Sequence, residues 1–328
     1  MKKDIHFLGE TDFLPVMQNE NRKWRDDHVI RGTMTTSDNL RLNYYMAEPK
    51  NPIASIVFVH GMGEFFGKYH EYIWYLYQAG FRVFFPEQRG FGYSEGKLDE
   101  PDLIYIDDYS TYVEDLHQFM DKIVLPGSFY NSQRQDLFLI AHSMGGAVST
   151  LFMEKYPKYF KAALLSSPMI KMKADNLKPI VVIVLKIYAL LFKREKSVAP
   201  NQKRFDPNTS FESSSSKSKP RFDYQLNMRR NNEHFQTTTA TLGWALASMK
   251  AHKDIVANLK RIKIPVNIMT AGDDHLIDSE GYSEFAKGVP QAVIHDYPAS
   301  RHEIFNADEA TRNQYYKDVF NILESYIN

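Results

Sequence analysis

The sequence predicts an α/β fold: a mostly parallel twisted sheet with helices on both faces, interrupted by one long insertion. Three observations carry this. Short, unbroken apolar runs rich in β-branched and aromatic residues recur along the chain, segments of helical spacing separate them, and the alternation lapses once, between about residues 168 and 250. Unbroken runs suit strands buried on both faces, as in a parallel sheet. Strand alternating with helix is the pattern of an open α/β sheet.

Taken in order, residues 1–30 form an N-terminal arm, and 40–45, Leu-Arg-Leu-Asn-Tyr-Tyr, alternate in the manner of an antiparallel edge strand. Buried strands follow at 56–59, 83–85, 137–140, 162–165, 266–269 and 292–294, with helices at 69–79, 106–123, 145–156 and 310–326. The core thus comprises 1–167 and 251–328, and 168–250 enters between two strands as a cap. Open α/β sheets bind ligands beyond the carboxyl ends of their strands, so a cap there would cover the site.

Composition narrows the function classes. The 328 residues are 43% hydrophobic and 14% aromatic, as in an ordinary globular chain. Lys plus Arg and Asp plus Glu are both 40, so nucleic acid is not an expected partner. Cysteine is absent, which removes disulfides and thiolate nucleophiles. Met1-Lys2-Lys3 leads to Glu10 and Asp12 without the apolar stretch of a secretory signal. The longest apolar run, 180–192, contains Lys186 and falls short of the ~20 residues a membrane span needs. A cytoplasmic location is the expectation. There is no His-Glu-x-x-His motif and the histidines are scattered, so no metal and no cofactor are expected. Gly90-x-Gly92 lacks the third glycine of a nucleotide loop and reads as a turn.

The chemistry begins at Leu139-Ile140-Ala141-His142-Ser143-Met144-Gly145-Gly146, which runs from a strand through a serine among small residues into a helix. A nucleophile elbow needs this arrangement, because large side chains two before or two after the serine would strike the neighbouring strand and helix. A serine merely capping a helix would look similar, so the partners decide. Val57-Phe58-Val59-His60-Gly61-Met62-Gly63-Glu64 is a strand ending in a glycine-flanked turn. Its backbone N–H at Met62, with that of Met144, would form an oxyanion hole, His60 being structural. After the strand at 266–269, Asp273, Asp274 and Asp278 compete to orient a histidine. Asp273 suits a turn and Asp278 a helix cap, which makes Asp274 the preferred acid. Of 11 histidines, His302 lies in the loop between the last strand and the last helix, with His275 and His295 as decoys. The chain order Ser, Asp, His fits an α/β sheet of this kind.

As an ordered set, His60-Gly61-Met62-Gly63-Glu64, Gln88-Arg89-Gly90-Phe91-Gly92-Tyr93-Ser94, His142-Ser143-Met144-Gly145-Gly146, Asp274-His275-Leu276-Ile277-Asp278 and Arg301-His302-Glu303 resembles the α/β-hydrolases of the monoacylglycerol lipase and bacterial lysophospholipase group. The resemblance runs from about residue 30 onward. Glu87 stands where the group usually has Asp, and Ala141 replaces Gly; neither change touches a proposed catalytic group. The resemblance implies the α/β-hydrolase fold and a serine carboxylic-ester hydrolase acting on a single-chain lipid ester. It also implies Ser143, Asp274 and His302 as the triad, with Met62 and Met144 as oxyanion donors.

Residues 171–230 carry nine Lys and five Arg against five acids, a net +9 in a chain whose total is zero. With the apolar run 180–192, that charge suits an anionic membrane surface, where each cation adds ~1 kcal/mol. Peripheral contact with the inner face of the membrane is therefore expected. The same charge favours a lysophospholipid over a monoacylglycerol, with Arg221, Arg229, Arg230 and Trp244 as substrate-binding candidates. Against this, charge runs are usually solvated faces and cap helices usually pack on the domain below. A general esterase or peptidase on non-lipid substrates is the enzymatic alternative. A non-catalytic lipid-binding protein on the same scaffold is the alternative of another class, and labelling of Ser143 by a fluorophosphonate separates the two classes.

Overall fold

A computed structural model gives the fold and describes residues 5–173 and 179–327. The first four residues, and Asp175 and Lys178 of the charge count, lie outside the described residues. The main sheet has eight strands: β1 (Val29–Thr35), β2 (Arg41–Ala47), β3 (Ala54–Val59), β4 (Phe81–Pro86), β5 (Leu137–His142), β6 (Ala162–Ser166), β7 (Val266–Ala271) and β8 (Ala292–Tyr297). Their spatial order is β1-β2-β4-β3-β5-β6-β7-β8. The β1–β2 and β2–β4 pairs are antiparallel and the rest parallel.

The central strands are buried along their whole length, because alternate side chains feed two separate apolar layers. Val57, Val59, Leu139 and Ala141 pack into the layer of α4 (Tyr109–Phe119), α5 (Met144–Lys155), α8 (Leu242–Asn258) and α9 (Glu280–Gly288). Ile56, Phe58, Phe138 and Ile140 join the layer of α1 (Phe13–Gln18), α2 (Glu20–His28), α3 (His70–Gln78) and α10 (Glu309–Ser325). A strand that faces apolar neighbours on both sides has no reason to alternate in sequence.

Two expectations change. The strand predicted at 40–45 is antiparallel but is not the edge, because β1 pairs outside it over Val29–Thr35. Only Met34 of β1 is buried, so this edge strand has no apolar run to announce it. At the opposite edge, β8 leaves Val293 and Ile294 exposed and is not a fully buried strand.

Between β6 and β7 the described residues 167–173 and 179–265 lie outside the sheet and hold α6 (Pro179–Leu191), α7 (Lys219–Asn231) and α8. A boundary at 250 falls inside α8, whose Trp244, Ala247, Ala251 and Ile255 belong to the core layer. Residues 205–238 instead meet the loops that follow the strands. Glu303 N–H donates to Ser215 O (3.1 Å), and Lys217 and Ser218 N–H donate to Asn306 O (2.9 and 3.0 Å). Among the described residues no helix is long and apolar enough to cross a membrane.

Candidate active site

Ser143 sits between β5 and α5 with φ 51° and ψ −121°, a conformation that costs a non-glycine residue free energy. It persists because the surroundings over-determine it. Ser143 N–H donates to Ser166 O (3.1 Å), and Ser143 O accepts from Gly146 N (2.8 Å) and Met169 N (2.8 Å). The small neighbours are required by close approach: a Cβ on Gly145 would stand 2.3 Å from Val59 O and 2.5 Å from His60 O.

The structure brings the three predicted side chains together. His302 Nε2 lies 2.9 Å from Ser143 Oγ, and His302 Nδ1 lies 2.7 Å from Asp274 Oδ2. Asp274 Oδ1 also accepts from Leu276 N (2.8 Å) and Ile277 N (3.1 Å). Burial pushes the Asp274 carboxyl up, but the bond from His302 and the two amides outweigh it and hold the group below the usual carboxylate value. For His302 burial dominates and draws the imidazole below its ordinary pKa, against the opposing pull of Asp274. A neutral imidazole on a serine hydroxyl, backed by a carboxylate, can accept the hydroxyl proton as oxygen attacks a carbonyl.

The rival residues fall elsewhere. Asp273 is exposed and pairs with Lys217 (3.5 Å). Asp278 accepts from Glu280 N (3.0 Å) at the start of α9. His275 is exposed, and His295 meets Asn267 on β7 (2.9 Å). His60 Nε2 accepts from Gln88 N (3.0 Å) while its Nδ1 meets Gly61 O (2.8 Å), and burial lowers its pKa to about 4. Met144 occupies the first position of α5, where a helix offers its N–H no acceptor. Met62 lies in the turn after β3, between Gly61 and Gly63.

Of the four substrate-binding candidates, three are engaged away from the cavity that adjoins Asp274 and His302. Arg221 is 1% exposed and is committed to Glu71 (2.7 Å), Glu10 (3.1 Å) and Leu8 O (2.9 Å). Trp244 is buried against Tyr109 in the core layer. Arg230 lies on the surface and donates to Pro207 O (2.6 Å). Arg229 differs: it donates to Gly63 O and lines a cavity of 380 Å³ with Arg204, Leu226, His275, Leu276 and Glu303. That cavity adjoins the residues that follow Asp274 and His302.

Sequence reasoning missed a buried charge cluster beside Ser143, His302 and Asp274. Lys68 Nζ bridges Glu64 Oε1 (2.6 Å) and Glu303 Oε1 (2.7 Å), all nearly sealed from solvent. Glu64 also accepts from Gly61 N and Tyr69 OH, and its Oε1 is 2.9 Å from His142 Nδ1, out of line for a hydrogen bond. Burial alone would raise the Glu64 carboxyl; His142 and Lys68 reverse this and keep it well below the ordinary range. The only signal in the sequence was Glu64 four residues before Lys68, with Glu303 adjoining His302. Among the described residues no group of His, Asp and Glu could hold a metal.

A family model described as serine aminopeptidase, S33, matches residues 50–309. Probable lysophospholipase L2 of Haemophilus influenzae is 25% identical over 285 residues, covering 84% of this chain and 86% of that protein. The monoglyceride lipase homolog of monkeypox virus is 25% identical over 290 residues, 86% of this chain and 94% of that one. The crystal structure of a soluble variant of monoglyceride lipase from Saccharomyces cerevisiae, in complex with a substrate analog, superposes with a TM-score of 0.71 at 19% identity. It covers 91% of this chain and 95% of its own. This chain therefore belongs to the serine aminopeptidase, S33, family and is a serine hydrolase of the α/β-hydrolase fold, in the group of the monoacylglycerol lipases and bacterial lysophospholipases.

Proposed function

We propose that the chain hydrolyses the acyl ester of a single-chain lipid. Ser143 attacks the ester carbonyl as His302 takes its proton, and Asp274 steadies the resulting imidazolium. The N–H groups of Met62 and Met144 receive the developing oxyanion. His302 then returns the proton to the departing alcohol and activates the water that releases the fatty acid. The observation that carries this reading is the hydrogen-bonded line from Ser143 Oγ through His302 to Asp274, 2.9 and 2.7 Å long. The relatives named as lysophospholipase and monoglyceride lipase support a lipid ester as substrate.

Between those two substrates we place the lysophospholipid first, on the cationic character of 171–230. A specific observation favours the monoacylglycerol as the second reading. Much of that charge is spent within the protein: Arg221 on Glu71 and Glu10, Arg204 on Glu100 and Asp102, Lys171 on Glu280 and Lys219 on Asp223. We assign the insertion expected at 168–250, as far as the start of α8, the role of a cap over the strand ends. Peripheral contact with the cytoplasmic face of an anionic membrane falls to α6, whose Val184, Ile187 and Leu191 are exposed beside Lys186, Lys193 and Arg194.

Initial rates on lysophosphatidylcholine, lysophosphatidylethanolamine, a monoacylglycerol and p-nitrophenyl esters of graded length test the reading. The expected order puts the long-chain lipids first. A preference for short soluble esters would remove the lipid substrate.

A further inference from the structure

The turn after β3 is pinned on both sides of Met62. Upstream, Gly61 N–H donates to the Glu64 carboxylate, which Lys68 and Tyr69 hold in place. Downstream, the Gly63 carbonyl accepts from Arg229 Nη2. Gly63 lies at φ 69° and has no side chain to wedge the peptide, so its carbonyl is the handle by which this half of the turn can be held. The Arg229 guanidinium also lies 5.7 Å over the Phe65 ring, with the charges of Glu64 and Glu303 nearby. Its helix, α7, is itself anchored. Arg221, two turns earlier, is bound to Glu71 and Glu10, and Gln236 Nε2 closes the other end on Arg229 O (2.8 Å).

We propose that Arg229 is a positioning residue that sets the Met62 peptide of the oxyanion hole from the far side of the inserted segment. The proposal rests on the reading of Ser143 as nucleophile and Met62 as a donor. Donors aimed at a developing oxyanion act only if their geometry is fixed in advance, and a small misplacement is expensive in rate. The inserted segment then completes the site as well as covering it: with α7 unseated, the hydrolase core keeps its triad but holds Met62 loosely.

The test uses Arg229→Met, Arg229→Gln and Arg229→Lys in the full chain with p-nitrophenyl butyrate, a substrate without a head group. Arg229→Met is expected to lower kcat about 10- to 100-fold with KM changed less than about twofold. A boronic acid, which forms a tetrahedral adduct reaching into the oxyanion hole, should bind more weakly by the same factor. Arg229→Lys, which keeps a donor toward Gly63, should recover most of the loss. If Arg229→Met does not fold, the Gln and Lys variants read the same contrast. An unchanged kcat, a loss confined to KM, or a kcat loss with boronate affinity intact would each overturn the proposal. Failure of the underlying reading shows separately, as ester hydrolysis that survives Ser143→Ala.

Discussion

Ser143 occupies backbone geometry that serine avoids, and the strain is held by four backbone hydrogen bonds that do not involve its hydroxyl. Ser143→Ala should therefore fold normally and lose at least about 10³-fold in kcat/KM; circular dichroism and fluorophosphonate labelling separate loss of chemistry from loss of fold. His302 must be neutral to act as a base, and burial sets its pKa below 6.5. The acid limb of kcat/KM should then have its midpoint below pH 6.5, and a midpoint at or above that value rejects His302 as the titrating base. Glu154 behaves in the opposite sense. It is 5% exposed, its Oε1 has no hydrogen-bond partner among the described residues, and burial raises its pKa to about 8, against the pull of Arg261. Between pH 4.5 and 8 the native state keeps a proton that the unfolded chain releases, so stability falls as pH rises through that window. Glu154→Gln should melt with the wild type near pH 4.5 and be more stable by on the order of 3 kcal/mol at pH 8. Coincident melts at pH 8 would remove this account. The meeting of Ser143, His302 and Asp274 was legible because the chemistry proposed for them fixes residue types, chain order and small neighbours. Arg221 was misread because a sequence displays a charge and not its counter-ion, and Lys68 and Glu303 meet across 235 positions.

At the scale of elements, legibility followed burial. The strands buried on both faces, β3 to β7, were all found, since only an unbroken apolar run satisfies two apolar layers. The edge strand β1, polar and mostly exposed, gave no such run, and neither did the short helices α1 and α2. Helix α6 was found as an apolar run, and its packing is what sequence could not supply. A helix this apolar normally buries its surface, yet Leu191 is 73% and Val184 56% exposed. If a lipid surface takes these side chains, each contributes up to ~1.5–3 kcal/mol to the attachment. The double variant Ile187→Ser, Leu191→Ser should cosediment at least about tenfold less with phosphatidylglycerol vesicles. Its turnover of p-nitrophenyl butyrate should match the wild type. Equal cosedimentation of variant and wild type would show that α6 is not the attachment face.

Part of the +9 that residues 171–230 carry in a chain with no net charge is the complement of acids on other elements, as Arg221, Arg204, Lys171 and Lys217 show. The N-terminal arm, which precedes the matched span 50–309, takes part in this exchange. Glu10 Oε1 accepts from Arg221 on α7 (3.1 Å) and Arg312 on α10 (2.8 Å), and the Leu8 carbonyl accepts from both (2.9 and 3.0 Å). Arg221 and Arg312 are 1% and 0% exposed, so the arm ties the inserted segment to the last helix through two sealed cations. The Glu10 side chain is itself 36% exposed, so these pairs are sealed on the cations' side alone; removing Glu10 costs more than the pairs were worth, because the buried cations keep their desolvation penalty. Without Glu10, Arg312 keeps the carbonyl oxygens of Leu8 and Ala307, while Arg221 keeps Glu71. Glu95, paired with a well-exposed Arg41 at 2.7 Å, is the surface comparison, and a pair so open to water contributes little. Glu10→Ala should therefore destabilise the protein by about 2–3 kcal/mol in a denaturant melt, and Glu95→Ala should shift the melt far less. High salt should erase the effect of Glu95→Ala and leave more of that of Glu10→Ala, since screening reaches a pair exposed on both sides more than one whose cations are sealed. Equal, salt-sensitive losses in the two variants would mean that the arm lies on the surface without fastening it.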